Sequence, residues 1–304
     1  MRRIHDDELD TGADVVASLL RLANPAWSTL PLHELAASGT DHAMYRLGGD
    51  LVVRVPRTVA AAEGLTAEVT RLDLVARVLP VAVPELVHLG EPTDAFPHPW
   101  AVLTWLGGED AWESRHRLGG DVDLGLAADL AEVVGALRSA SVPGLVRREA
   151  GRRGGPLTGV LDRAYHWLDG ESGPLPAWVD ADDVRTRLGR RAAAADDDVG
   201  YVLTHGDLIP GNLLVRDDRL AAVIDWGYLT AADPALDLVP AWAVLDAPAR
   251  RRFRSLLGVD DATWARAWVN GVEQALGGIV YYTPRGHPLA DVMTRTLGRH
   301  LEDD

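Results

Sequence analysis

The sequence contains no cysteine and no lysine. Without cysteine there is no disulfide, no thiolate metal site and no cysteine nucleophile. Without lysine, any role that calls for one falls to arginine. All 30 basic residues are arginines, set against 45 acids, for a formal net charge of −15. That balance argues against nucleic acid and anionic membranes as partners, since both want basic surfaces, while it admits a cationic small molecule. Long apolar runs are missing too: no window approaches eighteen uninterrupted apolar residues, so no helical membrane span is expected. The early stretch VVASLLRLA is short and broken by Arg21, so no signal peptide is expected and a cytoplasmic setting is. The histidines show no H-E-x-x-H spacing and the serines no G-x-S-x-G elbow, which removes the usual zinc and serine-hydrolase signatures. No internal repeat is visible.

What remains is an ordinary globular composition, 47% hydrophobic and 25% charged over 304 residues, long enough for two domains or one large two-lobed one. After a helix over 13–24, the first hundred residues alternate as short strands, with a small-residue loop at Ser38-Gly39-Thr40-Asp41 and a tight turn at Gly48-Gly49-Asp50. A helix is expected over 66–79, with Val69, Leu72, Val75 and Leu79 on one side. Beyond Gly107-Gly108 the pattern becomes helical, over 121–140, 158–169, 182–195, 234–246, 248–257, 261–277 and 288–301. Asp233-Pro234 supplies a cap and first-turn proline for the helix at 234–246. The stretch RREAGRRGGP at 147–156 is polar and glycine-rich, and is expected as a mobile, solvated loop.

One stretch carries chemistry. Residues 201–215 read YVLTHGDLIPGNLLV, followed after an RDDR turn by LAAVIDWG. Folding NLLV against LAAVID brings Asn212 within a residue or two of Asp225, an amide oxygen and a carboxylate at one end of a hairpin. Such oxygens suit a hard cation like Mg²⁺, which takes one or two carboxylates and completes its shell with phosphate oxygens and water. Asp207, on the loop leading in, is free to accept a proton from a hydroxyl as it attacks phosphorus. The plain alternative is turn chemistry, since Asp, Asn, Gly and Pro all favour turns.

HGD followed by four residues and Asn, then IDWG, resembles the catalytic segment of the aminoglycoside phosphotransferase family, which has a protein-kinase-like fold. The resemblance covers nearly the whole chain, including VVRVPR, the WLGGE segment and DPALDL. It implies an α+β fold of two lobes: a small antiparallel sheet at 1–104 that binds nucleotide, and a mostly helical catalytic and substrate-binding lobe at 105–304, with a hinge about 103–108. It further implies Asp207 as catalytic base, Asn212 and Asp225 as Mg²⁺ ligands, and His205 as a buttress of the loop. Asp237 either orients that loop or faces the acceptor. The family usually has a strand lysine paired with a helix glutamate to hold the donor's phosphates; here Arg54 stands on the strand and Glu68 on the helix. Arg is not a neutral exchange for Lys, because its planar fork grips from a different distance. Ser38 and Thr40 fall where relatives fold a loop over the phosphates. The backbone of Leu103 to Leu106 is placed to meet a purine, with Trp105 beside it.

The activity so implied is transfer of phosphoryl from ATP or GTP to a hydroxyl of a small cationic acceptor, an aminoglycoside-type antibiotic above all. Glu273 is the one carboxylate nominated to meet its amino groups. Two other readings stay open: a macrolide, peptide-antibiotic or metabolite kinase, and a nucleotide-binding scaffold without catalysis.

Overall fold

Alternation along three consecutive segments sets the first sheet. The computed structural model describes residues 7–35, 40–141, 146–149, 152–170, 172–195 and 199–303. The chain divides into two compact units, the first of residues 1–77 and 82–107, the second of 78–81 and 108–304. The first opens with α1 (Ala13–Ala23) and continues through β1 (Leu32–Glu34), β2 (His42–Leu47) and β3 (Leu51–Pro56). Helices α2 (Val59–Val69) and α3 (Leu72–Ala76) follow, then β4 (Leu86–Gly90) and β5 (Trp100–Thr104). The strands form one antiparallel sheet in the order β1-β2-β3-β5-β4.

Successive strand residues face opposite sides. On β3, Val53 and Val55 enter a core with Val16, Leu19 and Leu20 of α1 and with Tyr45, Trp100 and Val102. Each such aliphatic side chain stabilises by roughly 1.5–3 kcal/mol when fully buried. Arg54, between the two valines, turns to the other face, where it meets Glu68 of α2.

The helix expected over 66–79 is in fact two, and it starts earlier. Thr58 caps α2 by accepting the Ala61 N–H at 3.2 Å, and the alanine-rich first turns gave little periodic signal. At the other end the Thr70 hydroxyl folds back onto the Thr66 carbonyl at 2.7 Å, and the chain restarts at Leu72. Leu72 and Val75 are buried all the same, which is why the apolar period read through the break.

The second unit comprises β6 (Glu109–Asp110), α4 (Asp121–Ser139), α5 (Leu157–Leu168), α6 (Ala181–Ala193) and β7 (Val202–Thr204). It continues with β8 (Leu213–Arg216), β9 (Arg219–Val223), β10 (Thr230–Ala232), α7 (Pro240–Ala243), α8 (Ala247–Leu257), α9 (Asp261–Tyr282) and α10 (Leu289–Leu301). The β8–β9 hairpin closes on Asp217 and Asp218, both left-handed (φ 52° and 58°), the two-residue turn that matches strand twist. Asp129 of α4 clamps its far strand, accepting the Leu220 N–H at 3.0 Å and Arg219 Nε at 2.8 Å. Strand β7 pairs with β10, and β6 with β8.

Helix α9 is the axis of this unit, buried from Trp264 to Val280 on nearly every side. It runs five residues past the expected end at 277. Gly277-Gly278 reads as a stop signal, but it serves close packing: a Cβ at Gly278 would lie 2.5 Å from Met293 Cγ on α10. The helix expected over 234–246 is also corrected. Residues 236–238 make a single 3₁₀ turn and α7 spans only Pro240–Ala243, because Pro240 has no N–H to continue a helix begun at Asp233. Among the described residues no helix is long and apolar enough to cross a membrane.

Candidate active site

The hairpin register places the polar residues. Leu213 pairs with Val223, and the Ile224 N–H donates to the Asn212 carbonyl at 3.0 Å. Asp225 comes next and adopts a left-handed backbone (φ 64°), rare for a residue with a Cβ. Asn212 and Asp225 therefore leave the same end of the hairpin, one residue apart in register. Asn212 is buried and donates its Nδ2 to the Asp207 carbonyl at 2.8 Å, so its Oδ1 is the end left to accept.

Asp207 sits on the loop from β7 with its side chain 16% exposed. Gln274 of α9 donates to its Oδ1 at 2.8 Å, and Arg153 NH2 approaches the same oxygen at 3.7 Å. Neither partner was nominated from sequence. Gln274 follows Glu273 on a long helix and Arg153 lies in the glycine-rich stretch, so only tertiary contact reveals them.

The loop is fixed from below. Asp237 accepts two successive backbone N–H groups, His205 at 2.7 Å and Gly206 at 2.9 Å, which places it under the catalytic loop. Burial raises its carboxyl to about 6, against the pull of those two N–H groups. His205 is wholly buried, packs at a tilt against Trp226 and bonds at both ring nitrogens: Nε2 faces the Ile224 carbonyl at 3.1 Å, and Nδ1 accepts the Asp207 N–H at 3.2 Å. That pattern needs one ring proton, on Nε2, and burial lowers the pKa to about 4, so the ring is neutral. Gly206 has φ 86°, and a Cβ there would lie 2.7 Å from the Tyr228 carbonyl, so the middle residue of HGD has to be glycine.

In the first unit, both terminal nitrogens of Arg54 engage the Glu68 carboxylate, with NH2 at 3.2 Å from Oε2, and the pair is buried. NH2 also reaches His42 Nδ1 at 3.1 Å; burial, then the charges of Arg54 and Arg57, hold that imidazole well below its ordinary value. Thr40 donates to Asp41 Oδ1 at 3.3 Å, and Ser38 lies outside the described residues. Leu103 is in the β5 ladder. The Trp105 N–H donates to the Asp50 carbonyl at 2.8 Å, while its ring, 36% exposed, lies under the Arg46 guanidinium at 4.0 Å. Leu106, half-buried, follows it.

The stretch expected as a mobile, solvated loop is tied down where it is described. Arg147 bridges Ala231, the Arg148 N–H donates to the Ala231 carbonyl at 2.8 Å, and the Asp233 N–H donates to the Gly154 carbonyl at 2.9 Å. Gly154 N–H in turn donates to Asn270 at 3.0 Å. The composition read as coil because these partners lie more than seventy residues away. A cavity of about 360 Å³ results beside the catalytic loop, lined by Arg148, Arg152, Arg153, Arg163, Gly206, Tyr228 and Glu273. Glu273, expected to meet an acceptor, is buried; its Oε1 accepts from Arg163 Nε at 2.9 Å and Trp167 Nε1 at 3.3 Å.

Comparison with known proteins accords with this geometry. No curated protein matches the sequence. Among solved structures, the GDP and kanamycin complex of APH(2")-IIia is similar at 19% identity and TM-score 0.72, covering 95% of this chain and 99% of that one. The GDP complex of aminoglycoside 2'-phosphotransferase-IIIa gives 19% identity and TM-score 0.74, over 95% and 97%. Macrolide 2'-phosphotransferase MphH from Brachybacterium faecium gives 22% identity and TM-score 0.60, over 94% and 98%. These likenesses give the protein-kinase-like α+β fold, with an antiparallel N-terminal sheet and a helical C-terminal part. The phosphotransferase enzyme family (APH) matches residues 33–271, and the chain belongs to that family.

Proposed function

We propose that this phosphotransferase moves the terminal phosphoryl of ATP or GTP to a hydroxyl of a small molecule, with Asp207 as general base. The observation that carries the reading is the loop itself: a carboxylate oriented by Gln274, beside an amide and a second carboxylate at one end of a hairpin. In the step, the acceptor O–H gives its proton to Asp207 and the oxygen bonds the terminal phosphorus. The bond from that phosphorus to the leaving nucleoside diphosphate breaks.

Asn212 Oδ1 and the Asp225 carboxylate are the groups that would hold Mg²⁺. Their chemistry fits, because both are oxygen donors and the Asn212 amide is oriented by its bond to Asp207. When bound, such an ion supplies neutralisation of the phosphate charge. His205 and Asp237 keep the loop in place. On the donor side Arg54, held by Glu68, stands in for the phosphate-binding lysine, and Thr40 would meet the phosphates. The Trp105 N–H is given to Asp50, so purine contacts fall to the other backbone groups of Leu103 to Leu106. The GDP, ADP and ATP complexes among the similar structures support a nucleotide donor of either base. A nucleoside triphosphate donor supports a cytoplasmic setting.

For the acceptor, the kanamycin, gentamicin and macrolide proteins among those structures support a hydroxylated antibiotic, the aminoglycoside type first. A metabolite acceptor is the second reading, favoured by the four arginines of the cavity. The test is nucleoside diphosphate release across hydroxylated acceptors of both charges. Acceptor-dependent release is the expected result; none with any acceptor would leave a nucleotide-binding scaffold.

A further inference from the structure

The cavity beside Asp207 has the wrong charge for a polycation. Four guanidiniums line it against the single carboxylate of Glu273, in a chain whose formal charge is −15. An acidic protein that gathers arginines at one polar hollow has a local field opposite to that of the whole. The cations are also short of partners. Arg163 donates its Nε to Glu273, but its buried NH1 and NH2 have no hydrogen-bond partner among the described residues. Arg148 spends one NH2 bond on the Tyr228 carbonyl at 3.2 Å, and its buried Nε has none. Burial, and after it the charges of Arg153 and Arg152, hold the Arg148 guanidinium below its ordinary value. Like charges crowded this way gain most from an anion, which guanidiniums bind through paired, charge-assisted hydrogen bonds. Glu273 Oε2, buried and likewise without a partner, offers an acceptor for one hydroxyl.

We infer that the acceptor is a small hydroxylated acid, with its carboxylate or phosphate on Arg148, Arg152 and Arg163 and its hydroxyls toward Glu273 and Asp207. This rests on the phosphotransferase reading of the Asp207 loop, takes the metabolite reading of its acceptor over the antibiotic one, and names that acceptor's class. Arg153, 3.7 Å from Asp207 Oδ1, lies between the two, so the anion docks a short distance from the hydroxyl that reacts.

Calorimetric titration of the full chain in saturating GDP, which fills the donor site, tests it with four probes: glycerol, ethanolamine, glycerate and glycerol 2-phosphate. At least one acid binds about tenfold more tightly than glycerol or ethanolamine, and the advantage shrinks as salt is raised. The two acids against each other tell carboxylate from phosphate. Arg152→Gln, at an exposed position, and Arg148→Gln each weaken the acid about tenfold, the loss of one charge-assisted contact. Ethanolamine binding more tightly than both acids, or acid affinity that survives both substitutions, overturns the inference. Asp207→Ala separates the two levels: acid binding persists while turnover is lost. If turnover persists instead, the base assignment fails while the charge preference of the cavity is still read from the arginine variants.

Discussion

At the scale of single residues, the loop is held by groups whose protonation matters. His205 is neutral, buried and bonded at both nitrogens, with its pKa lowered to about 4. The unfolded chain takes up the proton near 6.5, before the folded one does. Its contribution is therefore complete above about 6.5 and lost as pH falls toward about 4, a swing on the order of 3 kcal/mol. Asp237 runs the other way: raised from 3.8 to about 6, it favours folding at low pH, and that share is lost as pH rises through about 6. His205→Gln isolates the first effect. Urea melts from pH 4.5 to 7 should show the stability slope reduced by about one proton relative to wild type. Arg54 gives a second prediction. Arg54→Ala removes the guanidinium that engages the buried Glu68 carboxylate, and breaking such a pair costs about 3–5 kcal/mol, visible in the same melts. Arg54→Lys keeps the charge but loses the fork, so it should recover part of that stability.

At the scale of elements, the arginine segment depends on one buried network. Asp233 accepts Arg266 Nε at 2.8 Å and the Ala235 N–H at 2.8 Å, while its own N–H holds Gly154; Asn270 bridges Gly154 and the Arg266 carbonyl. Asp233→Ala removes the carboxylate paired with the buried Arg266 guanidinium and should cost about 3–5 kcal/mol. It should also raise hydrogen exchange across 147–149 and 152–155 before the rest of the second unit opens. Uniform exchange in that variant would contradict the tie. This network also explains what sequence could not tell. Helices α1, α4, α8 and α10 were legible because apolar period, caps and Gly258 are local signals. The break at Thr70-Arg71, the short turn after Asp233 and the anchoring of 147–149 and 152–155 were not: the first turns on the Thr70 hydroxyl's bond to the Thr66 carbonyl, the second on the missing N–H of Pro240, and the third on partners far along the chain.

For the whole molecule, the same division holds between what is near and what is distant in sequence. Asp207, Asn212 and Asp225 sit within nineteen positions on one hairpin and its entry loop, so spacing alone is enough to nominate them. Gln274 and Arg153, the partners of Asp207, come from 67 positions after it and 54 before it, and no motif announces them. Net charge is just as blind to local detail: a total of −15 admits a cationic acceptor, while the cavity beside Asp207 is lined by arginines. The account nevertheless stands on Asp207. The most direct test compares nucleotide binding and phosphoryl transfer in wild type and Asp207→Ala, side by side. The account predicts unchanged nucleotide affinity with turnover lowered by about 10²–10⁴-fold, the range of general-base catalysis. Turnover near the wild-type rate in Asp207→Ala would contradict it.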